Sequence, residues 1–432
     1  MTARRWLLPA FAAFEFYVVL AGDSLRYSIT WWGWAAVILV SVAISVVILV
    51  RLRSQWRFNQ LPYPLIAFVA LTIISIAWSN YPLWSLTAVF ANLLTVVAGV
   101  MLAVSLTRKQ LLWALGTALR FALGLSLLFE LVVSIFVRQP ILPWWEHFTG
   151  KIPAAYYWSR DLLFTGKQIQ GIMGNSNLLG FVALLALIVF AIQLASGRVH
   201  RVVGIFWLVI AVACIALTRS ATVTVALGVV AVAAIILLLL RFQRSSRGRL
   251  VVSILSIVFV VGALVGGFLE KAKVLDLLGK SSSLTGRTGI WSAVIHFASQ
   301  RPVQGWGWAT YWNPASYPFT SKLFEFRGVH YYQAHDAWLD IWLQLGIIGL
   351  IVFIAFVLST VVRTWILAVD RTGVPAGARG PRDAISLLPA LIVIALIAQS
   401  FTESRLLIEY GMLLMTVFAV RSKRDLTEPA AP

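Results

Sequence analysis

Long apolar runs, each broken by a short polar or basic segment, dominate the pattern along the chain. Runs near 6–22, 31–50, 64–79, 83–106, 111–137, 178–196, 202–218, 221–240, 250–268, 336–362, 384–401 and 406–420 stand out. Each approaches the ~20 mostly apolar residues that a membrane-crossing helix requires. The pattern predicts an all-α polytopic membrane protein of about twelve transmembrane helices, with residues 1–432 forming one integral membrane domain. Pro82 interrupts the apolar stretch between the third and fourth runs and predicts a tight turn there. The first run reads as a span rather than a signal peptide, because Glu15 interrupts it and many runs follow.

The polar breaks orient the spans. Arg4 and Arg5 precede the first span, Arg51, Arg53 and Arg57 follow the second, and Arg108 and Lys109 follow the fourth. Arg198 and Arg201, then Arg241, Arg244, Arg247 and Arg249, continue the same alternation. It ends with Arg363, Arg371, Arg379 and Arg382, and with Arg421, Lys423 and Arg424. The short turns on the other side hold one arginine each: Arg26, Arg219 and Arg405. Positive charge favours the cytoplasmic side, so both chain ends are expected in the cytoplasm. Two long loops, about 138–177 and 269–335, then fall outside. The stretch from Thr372 to Pro381, rich in glycine and proline, reads as a cytoplasmic linker.

Composition agrees. Hydrophobic residues make up 60% and charged ones 12%, with mean hydropathy +0.88, against roughly 25% charged in a soluble domain. The formal charge of +19 does not point to nucleic acid, because the cations sit in clusters between apolar runs, as at an anionic membrane surface. The single cysteine, Cys214, excludes a disulfide within the chain. No Cys/His cluster has zinc spacing and no glycine loop fits a nucleotide phosphate, so neither metal nor cofactor is predicted.

The long outside loops hold the candidate chemistry. Their aromatic residues (Trp144, Trp145, Tyr156, Tyr157 and Trp158 in the first, Trp306, Trp308, Tyr311, Trp312, Tyr331 and Tyr332 in the second) favour a membrane–water interface. Sugar-binding surfaces use the same residues. Ile290, Val294, Ile295 and Phe297 recur at helical spacing and predict an amphipathic helix over about 286–300, on the outer membrane surface, with Thr285 as its N-cap. Arg287 in its first turn makes an anion site with the helix N-terminus, or binds lipid phosphate.

His335 opens the tenth span. A helix start disfavours the imidazolium and Asp336 favours it, so the balance stays open. Arg219 sits in a tight turn near the outer interface, expected to face the protein interior or to reach lipid phosphate. Glu403 and Arg405 share the last outside turn and can pair with each other or position Arg219 or Arg287. Asn175 and Asn177 open the sixth span, where capping accounts for at least one of them. Within the fifth span, Arg120 and Glu130 must face protein or a watery cavity, and ~15 Å of helix keeps them apart.

Together, Asn175-Ser176-Asn177-Leu178-Leu179-Gly180, Thr218-Arg219-Ser220, Gly286-Arg287 with Trp291, Pro302 with Gly305 and Gly307, His335 with Leu339, and Gly346-Ile347-Ile348-Gly349-Leu350 resemble the O-antigen ligase and O-antigen polymerase superfamily. The resemblance covers about 170–350; the first 170 residues match only in being hydrophobic. It implies a metal-independent, inverting glycosyltransferase of the membrane-embedded (GT-C-like) type in the bacterial cytoplasmic membrane. Such an enzyme moves a glycan from undecaprenyl diphosphate to a hydroxyl of a glycan or lipid acceptor on the outer face. By resemblance His335 is the catalytic histidine, and Arg219 and Arg287 contact the donor diphosphate. Asp336, Glu403, Arg405, Asn175 and Asn177 are supporting candidates. One departure stands out: Asp336 occupies a place where that family commonly has asparagine. The competing class is a transporter or flippase of lipid-linked glycans, for which Arg120 and Glu130 would line a path, although transporters place their sites near the midplane.

Overall fold

A computed structural model describes residues 4–54, 56–147, 150, 152–243, 245–270, 273, 287–326, 329–369 and 383–427. The first half of the bundle consists of α1 (Arg4–Leu20), α2 (Gly22–Arg51), α3 (Tyr63–Ile74), α4 (Pro82–Ser105), α5 (Arg108–Val132) and α6 (Ser176–Ala195). It continues with α7 (Arg201–Thr218), α8 (Ala221–Phe242), α9 (Ser246–Leu269), α10 (Arg287–Ala298), α11 (Ala337–Val369), α12 (Leu388–Ser400) and α13 (Glu409–Thr427). A ribbon of two two-residue strands, β1 (Glu325–Phe326) and β2 (Val329–His330), lies in the second long loop. The chain is an all-helical, multi-pass membrane protein. Eight described helices are long and apolar enough to cross a membrane, and Trp6–Leu20, Tyr63–Trp78 and Ala384–Ser400 are shorter apolar helical stretches.

Caps set several of the helix starts. Thr107 accepts the Gln110 N–H at 3.3 Å while Gln110 returns a bond to the Thr107 N–H, opening α5. Asn175, Ser220, Ser245 and Asp336 do the same service for α6, α8, α9 and α11. The Thr285 cap and the 372–381 linker lie outside the described residues. The fifth span runs on as a π-turn over Val133–Val137. The last span begins later than its hydropathy suggests, because Ser404–Leu407 forms a separate 3₁₀ turn before α13.

Helix α6 is the centre, packed by α5, α7, α8 and α12 and buried over most of its length. Its uniform hydrophobicity has a simple cause: every face meets protein. Helix α9, equally apolar, has no buried residue. Glu130 is buried and accepts the N–H groups of Gln170 at 2.9 Å and Gly171 at 2.7 Å, so it pins the first long loop to α5. Arg120 donates to Gln193 and lies over the Phe190 ring. Both therefore have structural partners.

The second loop departs from the interfacial expectation. Trp306, Trp308 and Trp312 are buried. Trp306 and Trp312 join Phe319 and Phe324 in a separate aromatic core, on which α10 lays Ile290, Val294 and Phe297. Helix α10 thus turns its apolar face to the protein, and only Ile295 of the predicted stripe is exposed. A loop with this many rings buries enough apolar area to fold on itself. The loop is also locked into α11. The N–H groups of Trp306 and Gly307 bond to the carbonyls of Leu343 and Gln344, and the Ile347 N–H bonds to Pro302, where α11 kinks at Gly346 (φ 64°). A Cβ on Gly346 would sit 2.1 Å from the Val303 carbonyl oxygen, and one on Gly305 2.4 Å from the Gln344 backbone, so only glycine fits at either place.

Candidate functional site

Five segments meet around one carboxylate. Glu403, in the turn between α12 and α13, is 5% exposed. Its Oε2 lies 2.8 Å from His335 Nδ1. Its Oε1 accepts Arg287 Nη2 at 3.1 Å and Asn177 Nδ2 at 3.3 Å. Asn177 in turn accepts the Ser220 hydroxyl at 2.7 Å, which ties the α7–α8 turn into the network. Asn175 is the cap of α6 and lies beside the network rather than in it. Burial raises the Glu403 carboxyl, but the charge and hydrogen bond of His335, with the Arg287 and Arg405 guanidiniums, outweigh it and hold it down to about 2. Glu403 is thus an anion at any physiological pH.

His335 is presented by a clamped backbone. Its φ is +52°, a left-handed conformation that costs a non-glycine residue energy and needs support. Ala334 supplies it. Its N–H donates to Asp340 Oδ2 at 3.0 Å, and its carbonyl accepts Trp291 Nε1 at 3.0 Å. Asp340 also accepts Trp312 Nε1 at 2.9 Å and the hydroxyl of Ser404, the residue next to Glu403. One buried carboxylate therefore fixes the His335 backbone and the Glu403 turn together. Asp336 caps α11, accepting the Trp338 and Leu339 N–H groups at 2.9 and 3.0 Å, which aims its carboxylate at the helix rather than at the imidazole. The Tyr331 ring stands edge-on to His335, 5.7 Å between centres.

Two expectations need correction. Arg405 does not pair with Glu403: it pairs with Glu409 and accepts a place beside Tyr311, whose hydroxyl it reaches at 3.1 Å. The 3₁₀ turn over Ser404–Leu407 brings Glu409, the first residue of α13, to it, whereas Glu403 is held by its three donors. Arg219 does not face the interior. It is exposed in a left-handed turn (φ 45°) that ends α7, with its carbonyl accepting Gln168 Nε2 at 3.0 Å. It adjoins Ser220 in sequence, but its guanidinium lies by Gly166 of the first long loop, 3.7 Å from where a Cβ on that glycine would sit. Arg287 and His335 keep 17% and 23% of their side chains exposed, against 5% for Glu403 between them. Among the described residues no group of three or more His, Cys, Asp or Glu could hold a metal ion.

Residues 205–354 match a family model described as O-antigen ligase. That stretch is similar to the O-antigen ligase family. Arg219, Arg287, His335 and Asp336 lie within it, while Asn175, Asn177, Glu403 and Arg405 lie outside. No curated protein matches the chain. From sequence alone Glu403 ranks only as a supporting residue and Trp312 only among the loop aromatics, and Asp340 and Ser404 have no role. Hydropathy offered one hint for Asp340: a carboxylate inside an apolar run must find partners.

Proposed function

We infer that the protein is a membrane glycosyltransferase, ligase or polymerase, that transfers a glycan from an undecaprenyl-diphosphate-linked donor to an acceptor hydroxyl. In this reading twelve spans keep both chain ends in the cytoplasm and turn His335 to the outer face of the bacterial cytoplasmic membrane. The observation that carries it is the His335 Nδ1–Glu403 contact. A carboxylate on Nδ1 selects the tautomer with the proton on that nitrogen and leaves Nε2 free to accept one. His335 Nε2 takes the proton of the acceptor hydroxyl as its oxygen attacks the anomeric carbon from the face opposite the diphosphate. The bond from that carbon to the diphosphate oxygen breaks, and the configuration inverts.

The leaving diphosphate gains negative charge as the bond breaks. Arg287 spends one nitrogen on Glu403 and keeps others to donate, and in this reading the exposed Arg219 reaches the same diphosphate. Two guanidiniums aimed at a developing charge supply stabilisation without a metal ion. An opening between helices would let the polyprenyl chain stay in lipid. Ligase and polymerase share this chemistry and differ in the acceptor.

The test is glycan transfer from a lipid diphosphate donor by purified protein in EDTA, wild type against His335→Ala. Transfer by the wild type, with a loss of about 10²–10⁴-fold in a folded mutant, is the expected result. An equally active mutant removes His335 from the chemistry. No transfer by either protein, across several donors and acceptors, would put the flippase reading first.

A further inference from the structure

The end of the bundle remote from His335 holds a second place where fixed positive charge meets an opening. Between the first turns of α1 and α5 and the turn from α6 to α7 lies a cavity of about 240 Å³, lined by Trp6, Lys109, Gln110, Trp113, Gln193 and Arg198, with Pro9 and Leu112 behind them. Lys109 and Arg198 are exposed at its rim. Among the described residues neither forms an ion pair, and Asp425, a carboxylate at the same end, is held by Arg108 and Arg421.

The floor is polar and built. Gln193 is 3% exposed; its Nε2 donates to the Leu112 carbonyl at 3.0 Å and its Oε1 accepts from Arg120. An amide nitrogen carries two hydrogens, so one is left beyond the Leu112 bond on a side chain that lines the cavity. Room for that amide exists because residue 116 is glycine: a Cβ there would lie 2.2 Å from Gln193 Nε2. Trp6 and Trp113 flank the opening with ring centres 5.3 Å apart, the amphipathic rings that sit well at head-group depth.

Two cations without carboxylate partners, one buried donor, and aromatic and apolar walls in a membrane bundle suit one class of ligand. We propose that this cavity binds the phosphate head group of an anionic glycerophospholipid in the leaflet away from His335. The phosphate oxygens meet Lys109 and Arg198, an ester or glycerol oxygen meets Gln193, and the acyl chains leave past Trp6, which is exposed. Basic pockets between helices at a membrane surface hold anionic head groups in this way. The apolar walls favour the lipid over free phosphate.

The experiment follows the thermal midpoint of the full-length protein in detergent during titration with dioleoylphosphatidylglycerol, dioleoylphosphatidylcholine or inorganic phosphate. The phosphatidylglycerol response should saturate, and the phosphatidylcholine response should be absent. Lys109→Gln with Arg198→Gln should weaken the apparent affinity roughly 30-fold, taking about a kilocalorie for each charge. The swap Lys109→Arg with Arg198→Lys should keep it, because the rim needs charge rather than a fixed fork. The uncharged variant should unfold near the wild-type midpoint without lipid, since both side chains are exposed. An unchanged phosphatidylglycerol response in the uncharged variant overturns the site, and an equal shift with inorganic phosphate overturns the lipid as its occupant.

Discussion

Two ionic clusters share the loop end of the bundle, two residues apart in sequence, and they are built on opposite plans. The cluster around Arg405 is closed. Glu409 receives Arg405, Arg26 at 2.8 Å and the Tyr311 hydroxyl at 2.9 Å, Asp23 takes the other side of Arg26, and the rings of Trp31 and Trp34 cover Arg26. Two cations face two carboxylates, with Arg26 deeply buried and the others largely so. The cluster around Glu403 has a single carboxylate for Arg287 and His335, and both keep part of their surface open. A closed, balanced network can only hold helices together. An open one, with guanidinium N–H groups left over beside an imidazole, can still meet an anion and move a proton.

The comparison breaks most visibly through Arg405→Met. Removing one partner leaves Glu409 and Asp23 to share Arg26, and stability should fall by about 3–5 kcal/mol. Thermal unfolding of the purified variant checks it, and an unchanged midpoint would mean that the closed cluster is not structural. Glu403→Gln should separate the two plans, slowing transfer about 10²-fold by weakening the support for the imidazolium that forms, with a smaller shift in the midpoint. Steady-state kinetics beside a melting curve reads both.

Arg287→Lys sharpens the picture further. Lysine preserves charge but not the fork that serves Glu403 and a phosphate together, so transfer should drop about tenfold. Near-normal turnover would return Arg287 to a lipid-facing role. The smallest effect is with pH. Because the Glu403 carboxyl sits near 2 in the fold against an ordinary 4.5, its contribution to stability is complete above about pH 4.5 and is lost as pH falls towards 2. The midpoint gap between wild type and Glu403→Gln should therefore be constant from pH 7 to 5 and narrow below that.

Much of the architecture was legible because a membrane imposes it. Twenty-residue apolar runs such as 178–196 can do little but cross or sit in a bundle, and capping residues such as Asn175 and Ser220 mark where helices begin. The site was legible in part. His335, Arg287 and Arg219 could be picked out by residue type and position beside a turn or helix start. Their common partner could not, because Glu403 lies 68 residues from His335 and 116 from Arg287, and pairing at such separation depends on how α11 and α12 pack. The aromatic loop misled for a related reason. Tryptophan serves a membrane interface and a small core equally well, and nothing local to Trp306 or Trp312 distinguishes the two. Likewise Arg405 chose Glu409 over its closer neighbour in sequence through the direction in which α13 leaves the turn.

The loop wedged into α11 has a further consequence. With glycine obligatory on both surfaces of contact, Pro302–Gly307 acts as a stop that indexes α11 against the aromatic loop, and His335 stands eleven residues from that stop, ~17 Å along the helix and its approach. Under the proposed function, the height of the imidazole over the bilayer would be gauged from within the chain rather than by the lipid. Inserting one residue between His335 and Gly346 would lift the imidazole by ~1.5 Å and swing it by about a quarter of a turn. A donor whose reacting carbon floats at a depth fixed by its anchor would then find no base at its own level.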